Sequence, residues 1–192
     1  MEQLKKCMIE KIDFDQKSIE SVLSKFEEKH IKKGELFLKS GDLCKKMAFI
    51  EKGYLRMYDI VDGKEITLWI GSSDQFITSL SSFIFQTQNQ WNIEALTDCT
   101  LYVIKREDHM ALCKDNLKWL EFDNILLAQA FVTLERSMFL HLHSTAKERM
   151  NLLFEEQPKL FNEVPLQHIA TMMGIAPESL SRLRKNQMER TS

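Results

Sequence analysis

The residues best equipped for chemistry lie near the end of the chain, in the run LQHIATMMGIAPESLSRLRK at positions 166–185. On a helix beginning at Pro177, Glu178, Arg182 and Lys185 fall at i, i+4 and i+7 and share one side. A guanidinium can bridge guanine O6 and N7, and a carboxylate can accept from the cytosine amino group. That side therefore carries groups able to read base edges in a major groove. Ser179 and Ser181 add hydroxyls to the same helix, while Thr171 and Arg184 are placed to meet phosphates. No comparable set supports catalysis. The GxSxG, P-loop and HExxH patterns are missing, and no spacing joins Ser, His and acidic residues into a catalytic group, so the chain is expected not to be an enzyme.

Presenting such a face requires a helix-turn-helix. Ala170 is small where two helices would cross, and Gly174 suits the left-handed turn between them. Pro177 costs nothing in the first turn of the second helix. Ile169, Met173, Ile175, Leu180 and Leu183 make the apolar wedge that sets the angle. The alternative is an ordinary helical hairpin with a solvated charged face; the small residue, glycine turn, proline start and Arg-bearing side together weigh against it.

Upstream, 106–143 contains neither Gly nor Pro and reads as helix. Leu120, Asn124, Leu127, Phe131, Leu134, Met138 and His141 alternate by four and three residues, the seam two parallel helices bury against each other, with Asn124 able to fix register. Packing of this helix on its own β domain is the alternative, and Ile125, Leu126 and Phe139 beside the seam allow both contacts. Thr145 with Glu148 forms a capping box for a helix through Met150, Leu153 and Phe154, ended by Pro158.

From 31 to 104 the pattern becomes short apolar runs between Gly34, Gly41-Asp42, Gly53 and Asp62-Gly63, the mark of antiparallel strands in a roll, barrel or sandwich. The clearest hairpin joins 54–60 to 64–70 through Asp62-Gly63, and a final pair of strands is expected near 91–96 and 100–104. Ile19, Val22, Leu23 and Phe26 predict a short helix over 15–30.

Composition sets the outer limits. The 192 residues are 44% hydrophobic and 28% charged with a net charge of −2, which suits a sizeable core and excludes a uniformly basic coat. No apolar run approaches bilayer length, and the first residues lack a signal-like apolar stretch, so a cytoplasmic protein without a membrane partner is expected. Four cysteines at 7, 44, 99 and 113 form no CxxC pair and read as reduced thiols rather than a disulfide or zinc framework. His141 and His143 point to different sides of a helix, and His109 and His168 stand alone, so no metal and no cofactor is expected.

In this order of roll, long helix and helix-turn-helix, the chain resembles the Crp/Fnr superfamily of transcription regulators over nearly its full length. The anchors are 33–37 (KGELF), Gly41-Asp42, 49–56 (FIEKGYLR), 62–65 (DGKE) and 174–182 (GIAPESLSR). The resemblance implies an α+β chain: an N-terminal antiparallel β roll of the jelly-roll or double-stranded β-helix kind over 1–105, a dimerisation helix over 106–143, and a winged-helix-like DNA-binding domain over 144–192. It also implies that Glu178 and Arg182 occupy the family's base-reading positions. The partners implied are a second copy of the chain, palindromic double-stranded DNA and RNA polymerase.

Two departures matter. Cyclic-nucleotide binders of the family carry a Gly-Glu pair and then an Arg near the phosphate; here Ile77-Thr78 and the uncharged 88–92 (QNQWN) stand instead, so cyclic AMP and cyclic GMP are expected not to bind. Phe76, Leu80, Phe83, Phe85 and Trp91 mark a candidate effector pocket, filled by its own side chains or open to an apolar ligand; the effector is otherwise unassigned. Past the second helix only 186–192 remain, too few for the usual β-hairpin wing, which is either lost or cut off. The competing reading is a ligand-sensing or protein-interaction module whose helix-turn-helix no longer binds DNA.

Overall fold

The structure, a computed structural model, describes the backbone of residues 1–191 and the side chains of residues 1–185. The 186–192 segment considered for a wing lies outside the residues with described side chains.

Asp15 accepts a hydrogen bond from the Ser18 amide at 2.9 Å and so starts a helix whose apolar side, Ile19 and Val22, is buried. This is α2 (Gln16–Leu23), preceded by α1 (Glu2–Ile9), which the sequence reading did not anticipate. The helix ends earlier than its apolar spacing suggests. Phe26 opens a strand, β1 (Phe26–Ile31), opposite Ile104 and edge-on to Trp119, with ring centroids 6.0 Å apart. Pairing along a full strand outweighs one more helical turn.

The roll continues through β2 (Leu36–Leu38), β3 (Lys46–Lys52), β4 (Leu55–Val61), β5 (Lys64–Gly71), β6 (Phe76–Ile77), α3 (Leu80–Phe85), β7 (Asn92–Ala95) and β8 (Cys99–Lys105). Two antiparallel sheets result, in the orders β1-β8-β3-β6 and β2-β7-β4-β5. The β4–β5 hairpin matches the sequence reading: Asp62 and Gly63 both have positive φ, 51° and 74°, as a two-residue turn of matching twist requires. Gly53 has a second reason to be glycine. Its φ is 99°, and a Cβ there would lie 2.6 Å from Cys99 Sγ and 2.7 Å from the Asp98 carbonyl. The two late strands form as expected but do not pair with each other: β7 joins β4 and β2, whereas β8 joins β1 and β3.

The helical region after the roll is two helices rather than one, α4 (Arg106–Asp115) and α5 (Leu117–His143). Asn116 separates them in an extended conformation (φ −132°, ψ 99°), accepting from the Trp119 amide at 3.0 Å and donating to the Ser18 carbonyl at 3.2 Å. A side chain that can cap the next helix offers the backbone an alternative to continuing the last one. Trp119 and Phe122, in the first turns of α5, are fully buried against the roll, and Phe122 meets both Phe14 and Phe76 edge-on. The rest of α5 leaves the roll.

The sequence reading found no apolar run of bilayer length, yet α5 is long and apolar enough to cross a membrane by length and composition, with a mean hydropathy of 1.3 over 18 residues and none of that stretch buried. The reading missed it because polar residues such as Asn124, Gln129 and Thr133 interrupt the run without lowering its average far.

Two helices, α6 (Ala146–Glu156) and α7 (Leu160–Glu163), lead to the last pair, α8 (Leu166–Met172) and α9 (Pro177–Thr191). The Thr145–Glu148 capping box is formed on both sides, with bonds of 3.3 and 2.8 Å. The chain turns at Gln157-Pro158 as the proline requires. A second hydrophobic cluster unites Met150, Leu160, Phe161, Val164, Ile169, Ala170, Met173 and Leu180 from these helices with Tyr54, Ile70 and Leu96 from the roll.

Candidate nucleic-acid interface

The helix-turn-helix forms as its residue types require. Gly174 turns the chain at φ 68°, Ala170 and Ile169 are fully buried at the crossing, and Leu180 anchors α9 from below. Arg149 on α6 braces the turn by donating to the Met173 carbonyl at 3.0 Å. With the apolar side thus held, Glu178, Ser179, Ser181, Arg182 and Lys185 are exposed on α9, and none of them forms an ion pair among the described residues.

Two residues assigned to phosphate have other contacts. Arg184 is half-buried and donates to the Phe161 carbonyl and to Asn162 Oδ1, each at 2.9 Å, so it ties α9 to α7. Thr171 is half-buried against β5: its hydroxyl oxygen lies 3.0 Å from Thr67 Oγ1 and 3.1 Å from the His168 carbonyl, within hydrogen-bond reach of both. Both side chains spend their polar atoms inside the chain.

The contact of α8 with β5 belongs to a larger polar junction that the sequence reading missed. Arg56 on β4 is 3% exposed and meets Glu94 on β7 through Nε (2.9 Å) and Nη2 (2.6 Å), and Glu65 on β5 at 2.7 Å. Its guanidinium lies 3.8 Å over the Tyr58 ring, and its Nη1 is 2.8 Å from Nδ1 of His168. A guanidinium only donates, so Nδ1 accepts and the imidazole proton sits on Nε2. Burial, and then the neighbouring Arg56 charge, hold the His168 pKa below its ordinary 6.5, while Glu65 and Glu94 pull the other way. His168 looked isolated because its partners lie about a hundred residues away.

The proposed effector residues do not share one cavity. Phe76 stacks edge-on with Phe49 at 5.2 Å and Phe83 is buried against His109 at 5.1 Å, both part of the core. Leu80 and Phe85 point outward, with Phe85 73% exposed, and Trp91 is half-buried at the core's edge. Within α3 the split is one of facing: Ser82 and Phe83 turn into the core and leave Leu80 and Phe85 on the outer side.

Where a phosphate would sit, Ile77 is buried and Thr78 donates to the Lys46 carbonyl at 3.0 Å. Asn89, 2% exposed, donates to the Lys39 and Trp91 carbonyls and accepts from the Trp91 amide, closing the loop on a neutral side chain.

Along α5, Leu120 and Leu127 are half-buried and Asn124 is exposed, whereas Phe131, Leu134 and Met138 are each about 60% exposed. His141 turns away from the seam: its ring contacts the Ser137 carbonyl at 2.8 Å and the Met172 carbonyl at 3.3 Å.

His109, expected to stand alone, does not. Cys113, one turn further along α4, and Asp123 of α5 converge on it. Burial lowers the His109 pKa to about 4, with Arg106 adding to the effect, and burial raises Asp123 to about 6. Cys113 rises to about 11 through burial and then the Asp123 charge.

Residues 28–116 match the cyclic nucleotide-binding domain family. No curated protein sequence matches the chain. Among solved structures, FixK2 of Bradyrhizobium japonicum superposes with a TM-score of 0.74 at 17% identity, covering 86% of this chain and 86% of that one. The c-di-GMP-responsive global regulator CLP of Xanthomonas campestris gives 0.69 at 17% identity, with 92% and 93% covered. A Crp/Fnr-family chain from Eubacterium rectale gives 0.69 at 24% identity, with 92% and 85% covered. The fold is therefore that of Crp/Fnr-type regulators, and residues 28–116 within it are similar to the cyclic nucleotide-binding domain.

Proposed function

We propose that this chain, with its cyclic nucleotide-binding domain and Crp/Fnr-type fold, is a homodimeric transcription regulator that binds palindromic DNA through α9 and does not respond to cyclic AMP. The observation that carries the reading is the outer side of α9, where Glu178, Arg182 and Lys185 stand one turn apart in solvent over a helix anchored by Leu180. Two such helices related by a two-fold axis would enter successive major grooves about one helical turn apart.

The exposed stripe of Phe131, Leu134 and Met138 supports self-pairing of α5. Polar contacts flank that stripe: Lys11 donates to Gln129 at 3.0 Å, Arg136 pairs with Glu156, and His141 meets the Met172 carbonyl. Such contacts fit an aqueous dimer better than a bilayer, where each would be desolvated. They support a soluble, cytoplasmic protein as part of this reading.

Against cyclic nucleotides stand buried Ile77, the internally bonded Thr78 and the neutral Asn89 loop, which leave a cyclic phosphate without a cation. Calorimetry giving micromolar affinity for cyclic AMP or cyclic GMP would remove this part of the reading.

The deciding experiment is a gel shift at low salt with genomic fragments, run beside sedimentation. Expected are a dimer and a sequence-selective shift that Arg182→Ala abolishes while the dimer persists. A chain that dimerises but ignores every duplex would instead be an interaction module, a reading the internal engagement of Thr171 and Arg184 favours.

A further inference from the structure

A buried imidazole normally spends both ring nitrogens. His109, 5% exposed, leaves Nδ1 without any partner and points Nε2 between two other groups, Cys113 Sγ at 3.6 Å and Asp123 Oδ2 at 3.7 Å. The carboxylate is too far for a hydrogen bond to the ring, and it accepts none from any other described side chain. The ligand atoms of the three residues all lie within 4.8 Å of one another.

The two separations from Nε2 suit a different geometry, towards which Cys113 and Asp123 need only close on each other. In a tetrahedral zinc site with metal–nitrogen, metal–oxygen and metal–sulfur bonds of about 2.0–2.3 Å, neighbouring ligand atoms stand roughly 3.4–3.6 Å apart. We propose that His109, Cys113 and Asp123 form a binding site for a divalent first-row transition metal, zinc before others, with one coordination position left open.

The donor set fits that ion. A neutral imidazole, a thiolate and a carboxylate together bring two negative charges, which one M²⁺ cancels; the thiol proton, and the carboxyl proton where present, leave to solvent on binding. Mixed sulfur, nitrogen and oxygen ligands in a tetrahedron favour zinc over magnesium or calcium, which take oxygen alone. The surroundings are apolar and shaped by aromatic rings: Phe83 and Trp119 lie edge-on to His109 at 5.1 and 5.6 Å, fixing its ring. Cys113 and Asp123 are only partly buried, which leaves a route in from solvent. His109 and Cys113 belong to α4 and Asp123 to α5, so a bound ion ties the two helices across the break at Asn116.

The test uses the full chain, stripped with a chelator and titrated with Co²⁺ as a spectroscopic substitute for Zn²⁺. One Co²⁺ per chain should bind, with a near-ultraviolet thiolate-to-cobalt band and the intense visible bands of a tetrahedral site, both removed by added Zn²⁺. Cys113→Ser should eliminate the thiolate band, and Asp123→Asn should weaken binding at least tenfold. His141→Ala combined with His143→Ala should change neither, separating this site from surface histidines. His109→Ala removes a packed ring and can unfold the helix pair, so Cys113→Ser, checked by circular dichroism, carries the result. No band at millimolar Co²⁺, or a band that survives Cys113→Ser, overturns the proposal.

Discussion

Arg56 on β4 and His168 on α8 meet at 2.8 Å although 112 residues separate them in the chain. The roll's most buried cation thereby donates to the first helix of the helix-turn-helix, while Thr67 and Thr171 make a second bond 3.0 Å long between the same two parts. The position of α8 is thus set by strands β4 and β5.

Removing that cation should be costly. Arg56→Met would leave Glu94 largely buried without its partner and His168 without its donor. Breaking a buried pair from one side costs about 3–5 kcal/mol, to be read from urea denaturation. Glu65→Gln, at a half-exposed carboxylate, should cost less than about 1 kcal/mol. Equal losses for the two variants would refute this ranking.

Docking of α8 should weaken in mild acid. The His168 pKa is lowered in the docked state, chiefly by burial and then by Arg56, so the undocked state binds the proton more readily. The contribution is therefore complete above the ordinary value of 6.5 and is lost as pH falls from there towards the docked value. Between pH 7.5 and 5.5, a range chosen to bracket about 6.5, the protection of α8 amides against hydrogen exchange, after correction for the intrinsic pH dependence of exchange, should fall on acidification in the native chain. His168→Gln should flatten that response; an unchanged acid dependence in the variant would assign it elsewhere.

Arg182 and Arg184, two residues apart, should fail in different ways. Arg182→Ala should cost about 1–3 kcal/mol of specific DNA affinity with little change in melting temperature. Arg184→Ala removes bonds to Phe161 and Asn162 and should lower stability by about 1 kcal/mol per lost bond, leaving the salt dependence of DNA binding nearly unaltered. A reduced salt slope for Arg184→Ala would return it to the phosphate-contacting set.

Leu134→Glu should dissociate the dimer. The residue is 59% exposed in the single chain, so the monomer tolerates the charge, whereas a paired seam would bury it without a partner. Sedimentation should show a shift to monomer with unchanged circular dichroism. A dimer that persists would place the interface away from this stripe.

Much of this architecture is legible from residue types. The Asp62-Gly63 hairpin, the Thr145 cap, the stop at Pro158 and the Gly174 turn each rest on a local steric or hydrogen-bonding rule, and each is found where its residues indicate. What stayed hidden depends on distant partners. Phe26 continues a helical stripe, and only β8 makes it a strand; Asn116 looks like one more residue of a long helix until Ser18 and Trp119 engage its side chain. The same holds at the candidate site. The exposed set on α9 could be listed from helical spacing alone, but the engagements of Thr171 and Arg184 could not, since Thr67 and Phe161 belong to other elements. His109-x3-Cys113 was a readable spacing, one helical turn, and its third member Asp123 was hidden only by the break between α4 and α5.

Tyr54, Ile70 and Leu96 give the roll a part in the cluster that also holds Ile169 and Leu180. A fragment beginning after α5 would leave open to water the oily flank that its helices turn towards Tyr54, Ile70 and Leu96. Helix α8 rests on a floor laid by strands it does not follow in the chain, and α9, packed on α8, takes its seat from that floor.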